Sequence, residues 1–425
     1  MARLVVIGAG PMGLAAAHRA VTLGHQVTLL EADEKPGGMA AHFDFGGLSI
    51  ERFYHFVCKS DAPTFALMAE LGIGHLMRWR PTSMGYFMRG SVHRWGDPVS
   101  LLLFPHLGLL SKLRTGFHMF RTAHQSSFDH IEHMTARQWL ERGSGKAVFE
   151  TLWKRLLDLK FYEMSEEISA SWIATRIRRV GTSRRSMFQE ELGHIEGGTE
   201  TFVSALVSAF SAHGGELHLA TPATKVEIQG GLVTAVRAGG RLFAADAVIC
   251  TVPTPLVPKL VPDLPADARS QYEAIRNIGV VCVLFKLRRS VTPHFWLNIV
   301  DPEIEIPGLI EFSHLRPLPE TIVYVPYYMP STQPKWTWND KTFIDEAFAY
   351  IRLINPAIVP DDLIESRVGR LRYAQPVCEP RFRDKLPPIQ TSIAGLQIAD
   401  TCFYYPEDRG LAESIRYGRM MAEAV

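Results

Sequence analysis

Near the N-terminus, Gly8-Ala9-Gly10-Pro11-Met12-Gly13 follows an apolar β-branched run, Leu4 to Ile7, and precedes an alanine-rich run, Leu14 to Leu23. Glycines at this spacing, between a strand and a helix, can hold a pyrophosphate. Gly8 permits a tight turn, Gly10 lets phosphates approach the backbone, and Gly13 lets the helix lie close to the strand. The helix that follows has an N-terminus that offers unbonded N–H groups and a positive dipole end. Gln26 to Leu30 reads as a second strand, and Glu31 stands at its end, 18 residues after Gly13. A carboxylate there accepts hydrogen bonds from a ribose diol and repels a 2′-phosphate. The unit predicts a dinucleotide site.

The next residues are Ala32-Asp33-Glu34-Lys35-Pro36-Gly37-Gly38-Met39-Ala40. The Gly37-Gly38 doublet either brings main chain close to a pyrophosphate or makes an ordinary turn. Further on, Phe45-Gly46-Gly47 leads to Glu51-Arg52-Phe53-Tyr54-His55-Phe56, and Ile195-Glu196-Gly197-Gly198-Thr199 precedes a helical pattern, Phe202 to Phe210. Short strands follow at Glu216 to Ala220, Lys225 to Ile228, Leu232 to Val236 and Arg241 to Phe243, with Gly230-Gly231 and Gly239-Gly240 as turns. Ala245-Asp246-Ala247-Val248-Ile249-Cys250-Thr251-Val252-Pro253 comes next. Near the C-terminus, Gly395 to Ala399 reads as a last strand ending in Asp400, and Arg409-Gly410-Leu411 opens a final helix.

These segments, in this order, resemble the FAD-dependent family of amine oxidases, protoporphyrinogen oxidases and phytoene desaturases. The family usually has an arginine before the doublet, often another after it, and glycine before the late acid. Here Lys35, Met39 and Ala399 stand instead. The resemblance implies an α/β fold: a discontinuous, Rossmann-like FAD-binding domain from 1–80, 191–255 and 385–425, with an inserted mixed α+β substrate domain from 81–190 and 256–384. It implies that Gly8, Gly10, Pro11, Met12, Gly13, Glu31, Ala32, Gly37, Gly38, Met39, Val226, Asp400, Gly410 and Leu411 contact FAD. Val226 would use its backbone at the adenine, and Leu411 its N–H at the flavin. His55 either lies at the flavin ring or packs under an aromatic cluster. Cys402 does not match the cysteine that holds flavin covalently in monoamine oxidase, so non-covalent FAD is expected.

The resemblance implies hydride transfer from an organic substrate to flavin. Fold alone does not name that substrate. A flavin-dependent sugar-nucleotide mutase and a non-catalytic FAD-binding protein are the alternatives. Catalytic residues are not legible; His55, Tyr328 and Tyr373 are weak candidates, and Trp296, Asn298, Glu311 and His314 are polar groups amid apolar runs.

Composition narrows the rest. Of 425 residues, 47% are hydrophobic and 21% charged, enough for a core and too apolar for disorder. A net charge of +1 gives no case for nucleic-acid binding. Five cysteines without a C-x-x-C pair point to a reduced, cytoplasmic setting. No metal motif is present: His130 and His133 lack a partnered acid, and no G-x-S-x-G occurs. No apolar run is long enough to span a bilayer.

The stretch 81–190 reads as mostly helical, with periodic segments at Ala136 to Leu140 and Val148 to Leu159. The stretch 256–384 reads as strands at Val280 to Phe285 and Thr321 to Tyr328, then a helix at Phe343 to Ile354. Leucines and phenylalanines crowd Val99 to Phe120. The plainer reading is buried helices interrupted at Pro105; the alternative is a lipid-facing patch. Arg176, Arg178, Arg179, Arg184 and Arg185 form either a solvated helix face or a site for an anion. A small apolar or anionic substrate is expected. Oligomeric state is not legible.

Overall fold

The computed structural model describes residues 1–425. Strand Arg3–Ile7 lies at the centre of a five-stranded parallel sheet. Its neighbours on one side are Gln26–Leu30 and then Glu216–His218; on the other they are Ala247–Cys250 and then Leu396–Ile398. Side chains alternate across this strand, as a pleat demands. Leu4 and Val6 join the main core, to which helices Pro11–Thr22, Thr199–Ala212 and Leu411–Glu423 contribute. Val5 and Ile7 join a second cluster, beneath the antiparallel ribbon Ala223–Gln229, Leu232–Ala238 and Arg241–Ala244. Both faces are covered, which is why the strand reads as a continuous apolar run.

A seven-stranded sheet forms the second layer system. Its order is Leu363–Pro376, Asn277–Leu287, Thr321–Met329, Gly308–Glu311, Trp296–Ile299, Met84–Met88 and Ser91–Trp95. Val281, Val283 and Phe285 face helix Asp340–Ile354, while Val280, Cys282 and Leu284 face the main core. The strands and helix expected in 256–384 lie within these elements.

The stretch after residue 80 departs from the helical expectation. Met77–Thr82, Met84–Met88 and Ser91–Trp95 are strands. Two of them pair with partners distant in sequence: Met77–Thr82 with Gln189–Ile195, and Met84–Met88 with Trp296–Ile299. Pairing of that kind leaves little local signal. Helices follow only from Pro98, and the expected Val148 to Leu159 segment is broken by a π-helical turn, Phe149–Trp153. The borders expected near 80 and 190 both fall inside the Met77–Thr82/Gln189–Ile195 pair.

Two glycines set how closely the first helix packs. A Cβ on Gly13 would lie 1.8 Å from the Gly8 carbonyl oxygen. A Cβ on Gly418 would lie 2.2 Å from the Met12 carbonyl oxygen and 3.0 Å from the Ala16 nitrogen. These obstacles are backbone and cannot swing aside. Gly418→Val is expected to cost about 2 kcal/mol or more, at the upper end of ordinary overpacking. Urea unfolding of the variant beside the parent checks this; an unchanged midpoint would show that the helices separate freely.

Candidate functional site

The Gly8–Gly13 turn is built by its neighbours. Gly8 has a φ of 99°, and a Cβ there would meet the Thr251 hydroxyl at 2.7 Å. That hydroxyl donates to the Ile7 carbonyl at 2.9 Å, locking the end of Ala247–Cys250 to the turn. Gly10 is different: nothing lies within 4 Å of where its Cβ would be. Gly10 is also the N-cap of Pro11–Thr22, and the first helix amide to reach a carbonyl is that of Leu14, on Gly10. The amides before it are free, as at any helix start.

Gly8, Gly10, Pro11 and Met12 line a cavity of about 670 Å³. Glu31, Ala32, Gly38 and Met39 line it too. The Glu31 carboxylate accepts from the Ala9 amide at 2.6 Å and the Asp33 amide at 2.9 Å, which ties the second strand's end to the glycine turn. Gly38 approaches Gly10 so closely that a Cβ would lie 3.1 Å from the Gly10 Cα. Asp400 lines the same cavity while accepting from the Thr254 amide at 2.6 Å and the Cys402 amide at 2.8 Å. Gly410 and Leu411, at the start of Leu411–Glu423, complete this part. Two helix N-termini therefore abut one cavity.

Three expected residues stand apart from its lining. Gly13 packs on Gly8, and Gly37, with a φ of 115°, donates its amide to the Ala9 carbonyl. Both shape the cradle from behind. Val226 is fully buried in the ribbon core, opposite Val236 in the antiparallel pair.

The other end of the cavity is aromatic and cationic. His55, Tyr328 and Tyr373 all line it, with Tyr54, Phe56 and Trp296. The Tyr54 and Tyr328 hydroxyls are 3.4 Å apart, and Trp296 meets the Tyr54 ring edge-on at 5.4 Å. Burial, reinforced by Tyr328, holds the Tyr54 phenol well above its usual range. His55 donates from Nδ1 to the Phe53 carbonyl at 2.7 Å, and burial pushes it down to about 4, so it is neutral with Nε2 as its free acceptor. Asn298, Glu311 and His314 are absent from the lining; Glu311 accepts the Val291 and Thr292 amides and pairs with His314.

Arg176, Arg178 and Arg179 do not form the solvated face that the run's composition suggests, whereas Arg185 is exposed. Arg176 pairs with Asp408, Arg178 with Glu407, and Arg179 with Asp61. Arg176 and Arg179 line the cavity. The helix Ala170–Thr182 buries its first six residues, Trp172 and Thr175 among them, and the arginines that follow are half-buried.

Among the lining residues that sequence reasoning missed are Arg52, Lys160, Thr251 and Arg409. Arg52 grips Asp33 through both guanidinium nitrogens at 2.5 and 3.3 Å, and its Nε is buried without a partner. It supplies an arginine near the doublet that lacks one in sequence. Thr251 was foreseeable as the polar residue ending a central strand, where ligands of open α/β sheets bind. Lys160 and Arg409 carried no signal. No three His, Cys, Asp or Glu side chains converge as a metal ion would need. Cys402 is buried, outside the cavity lining.

The family model described as flavin containing amine oxidoreductase matches residues 13–349. The chain belongs to this family. As a member of the flavin amine oxidoreductases it resembles the 15-cis-phytoene desaturase of Glycine max, with 26% identity over 283 residues, 61% of this chain and 49% of that protein. It resembles lysine-specific histone demethylase 2 of Homo sapiens at 22% identity, over 83% of this chain and 42% of that protein. The chain thus spans about half the length of the curated relatives it matches. Among solved structures, an Exiguobacterium protein provisionally described as protoporphyrinogen oxidase superposes with a TM-score of 0.77 at 19% identity, covering 99% of this chain and 98% of that one. Putrescine oxidase bound to putrescine gives 0.72 at 15%, covering 100% and 98%. Reduced UDP-galactopyranose mutase gives 0.73 at 15%, covering 100% and 95%. At these identities the likeness is one of fold. It agrees with the α/β architecture of a Rossmann-like domain joined to a substrate domain.

His55 makes the stability of this chain depend on pH. Folded His55 binds fewer protons than the unfolded chain between its ordinary value of 6.5 and about 4. Stability is therefore expected to fall as pH drops through that window and to level off below it. One such group contributes a slope of at most about 1.4 kcal/mol per pH unit. His118, also pushed down to about 4 by burial, adds to it. Denaturant unfolding of His55→Gln from pH 7 to pH 4 should give a shallower curve than the parent; parallel curves would mean that folded His55 charges freely.

Proposed function

We propose that this chain binds FAD non-covalently in the 670 Å³ cavity and oxidises a small organic substrate there. The observation that carries the reading is a single cavity with a glycine cradle and two helix N-termini at one end and an aromatic, cationic chamber at the other. The residues present fit the cofactor. Gly10 leaves open space where phosphate would approach, and the amides of Met12 and Gly13 have no partner of their own. Glu31 keeps an acceptor lone pair for a ribose hydroxyl beyond the amides it already holds. Arg52, set by Asp33, offers charge in place of the arginine absent after the doublet.

FAD bound in this way supplies a hydride acceptor. The chain supplies position and field. The N-terminus of Leu411–Glu423, with the Leu411 amide unbonded, favours negative charge in front of it. Tyr54, Trp296 and Tyr328 form an apolar wall with hydroxyls at one point, which orients a substrate and excludes water. His55, neutral, offers Nε2 as an acceptor. Electrons drawn from substrate leave to dioxygen or another acceptor.

The purified protein is expected to absorb near about 375 and about 450 nm and to release FAD on acid denaturation. Arg52→Ala is expected to retain less FAD by about tenfold or more in affinity, one charge-assisted contact being worth that much. A colourless protein that cannot be reconstituted would overturn the reading. Turnover of a sugar nucleotide only by the reduced protein would favour the mutase alternative, and flavin that no substrate reduces would favour a non-catalytic role.

We also propose that a bilayer surface is a partner. Helix Leu109–Ala123 is inverted: it buries Thr115, His118 and Thr122 and exposes Leu109, Leu110, Leu113, Phe117 and Phe120. Those five positions fall within roughly 100° of the helix circumference. Leu110 is 80% and Leu103 76% exposed, so these leucines are not the buried helices that their composition suggests. Leu103, Val99 and Phe188 share one groove, so separate segments build one patch. Residues 98–128 contain Lys112, Arg114 and Arg121 and no acid, which suits anionic headgroups. No helix is long and apolar enough to cross a membrane. In sedimentation at low salt, the protein should co-pellet with phosphatidylglycerol-containing vesicles, and Leu110→Glu/Phe117→Glu should remain in the supernatant. Equal behaviour of both proteins would remove this partner.

A further inference from the structure

One part of the cavity gathers basic side chains that its own carboxylate does not balance. Lys160, near the end of helix Lys154–Phe161, puts its ammonium 4.8 Å from the Tyr328 ring centre and 5.1 Å from that of Trp172. It makes no hydrogen bond or ion pair to any other residue. Arg409 donates to the Ala374 carbonyl at 2.6 Å and the Tyr328 hydroxyl at 3.3 Å, and it too meets no carboxylate. Arg176 takes the one carboxylate at hand, Asp408, and stacks 4.8 Å from Trp172. The groups facing Lys160 are therefore Arg176 from Ala170–Thr182, Asp408 and Arg409 from the loop before Leu411, Tyr328 from Thr321–Met329, and Cys378 after Leu363–Pro376. Two arginines and the Lys160 amine share one carboxylate.

Burying a cation without an anion is costly, and aromatic faces repay only part of it. We propose that Lys160 and Arg409 form an anion-binding pole of the cavity, which takes a carboxylate or phosphate group of the substrate. The proposal deepens the oxidoreductase reading and rests on it for the word substrate. It also sets this chain apart from a binder of alkylamines: a protonated amine brought to this pole would meet like charge.

The free and bound states of Lys160 then differ. Without a ligand, burial, followed by Arg176 and Arg409, pushes the amine well below its usual range. An oxyanion against it reverses the balance and favours the ammonium. Binding should therefore draw a proton from solution. Tyr328 touches this pole and Tyr54 adjoins it, so an apolar body joined to the anionic head would lie against their rings.

Calorimetric titration of the protein as purified, at pH 8 in two buffers of different ionisation enthalpy, tests this. The probes are benzoate, phenyl phosphate, benzamide and benzylamine. One of the two anions is expected to bind about tenfold or more tighter than benzamide and benzylamine, with net proton uptake. Lys160→Met should lose about tenfold in anion affinity and all of the uptake. Lys160→Arg, permanently charged, should keep the affinity and lose the uptake. Which anion wins distinguishes a carboxylate head from a phosphate. Benzylamine binding best, no anion binding to the parent protein, or unchanged affinity and uptake in Lys160→Met would each overturn the pole. The flavin reading fails separately, by a colourless protein, because calorimetry needs no chromophore.

Discussion

Helix Pro11–Thr22 is pinned between two backbones that it nearly touches, and much else follows from that. Gly13 sits over the Gly8 carbonyl and Gly418 under the Met12 carbonyl, at separations that admit no side chain. The first contact holds the helix start against the end of the sheet's central strand. The second holds helix Leu411–Glu423 against it, so that both N-termini arrive at one cavity. Two positive dipole ends brought together repel. The fold tolerates that because close packing fixes the helices and because the space between them is open to a negatively charged group. Thr251 and Asp400 extend the same logic: each ends a strand and spends its polar atoms on neighbouring backbone, which makes the cradle rigid before anything binds.

The opposite end of the cavity is governed by charge in a low-dielectric space, where pairing decides energy. Asp61, Glu407 and Asp408 each take one arginine of helix Ala170–Thr182. These pairs anchor that helix to the start of the second cradle helix, since Glu407 and Asp408 directly precede Gly410. A global net charge of +1 conceals this arrangement. What matters is that carboxylates are allotted to the arginines and withheld from Lys160.

The parts legible in the sequence were those set by local geometry. The Gly8–Gly13 turn, its strand and its helix are contiguous, and Gly8 and Gly13 each answer to a nearby obstacle. The turns at Gly230-Gly231 and Gly239-Gly240 mark the ribbon for the same reason: all four have positive φ. The illegible parts depend on distant partners. Met84–Met88 is a strand because Trp296–Ile299 lies beside it. Lys160 sits on a helix whose apolar neighbours, Leu157 and Phe161, announce only core. The arginines read as a surface run because composition does not reveal Asp61, Glu407 and Asp408 waiting around them. The leucines of 99–120 were misread for the opposite reason. Apolar residues at helical spacing normally face inward, and nothing in the run itself says that Thr115, His118 and Thr122 take the inner side instead.

That inversion has a structural neighbour that gives it meaning. Helix Leu109–Ala123 packs on helix Ala170–Thr182: Ala123 meets Gly181, where an added Cβ would lie 3.6 Å from its own, and Arg178 donates to the Ser126 carbonyl at 2.7 Å. The helix that carries the exposed leucines is thus one layer from the helix that carries Arg176 and Arg179 into the cavity. Leaving five large apolar side chains in water forgoes burial worth roughly 1.5–3 kcal/mol each, while polar groups occupy the inner face in their place. A chain folding for stability alone would place these residues the other way round. The inner face is held by hydrogen bonding, His118 to Ser144 at 2.9 Å among its contacts. A substrate with an apolar body and an anionic head would meet both chemistries within two packed helices.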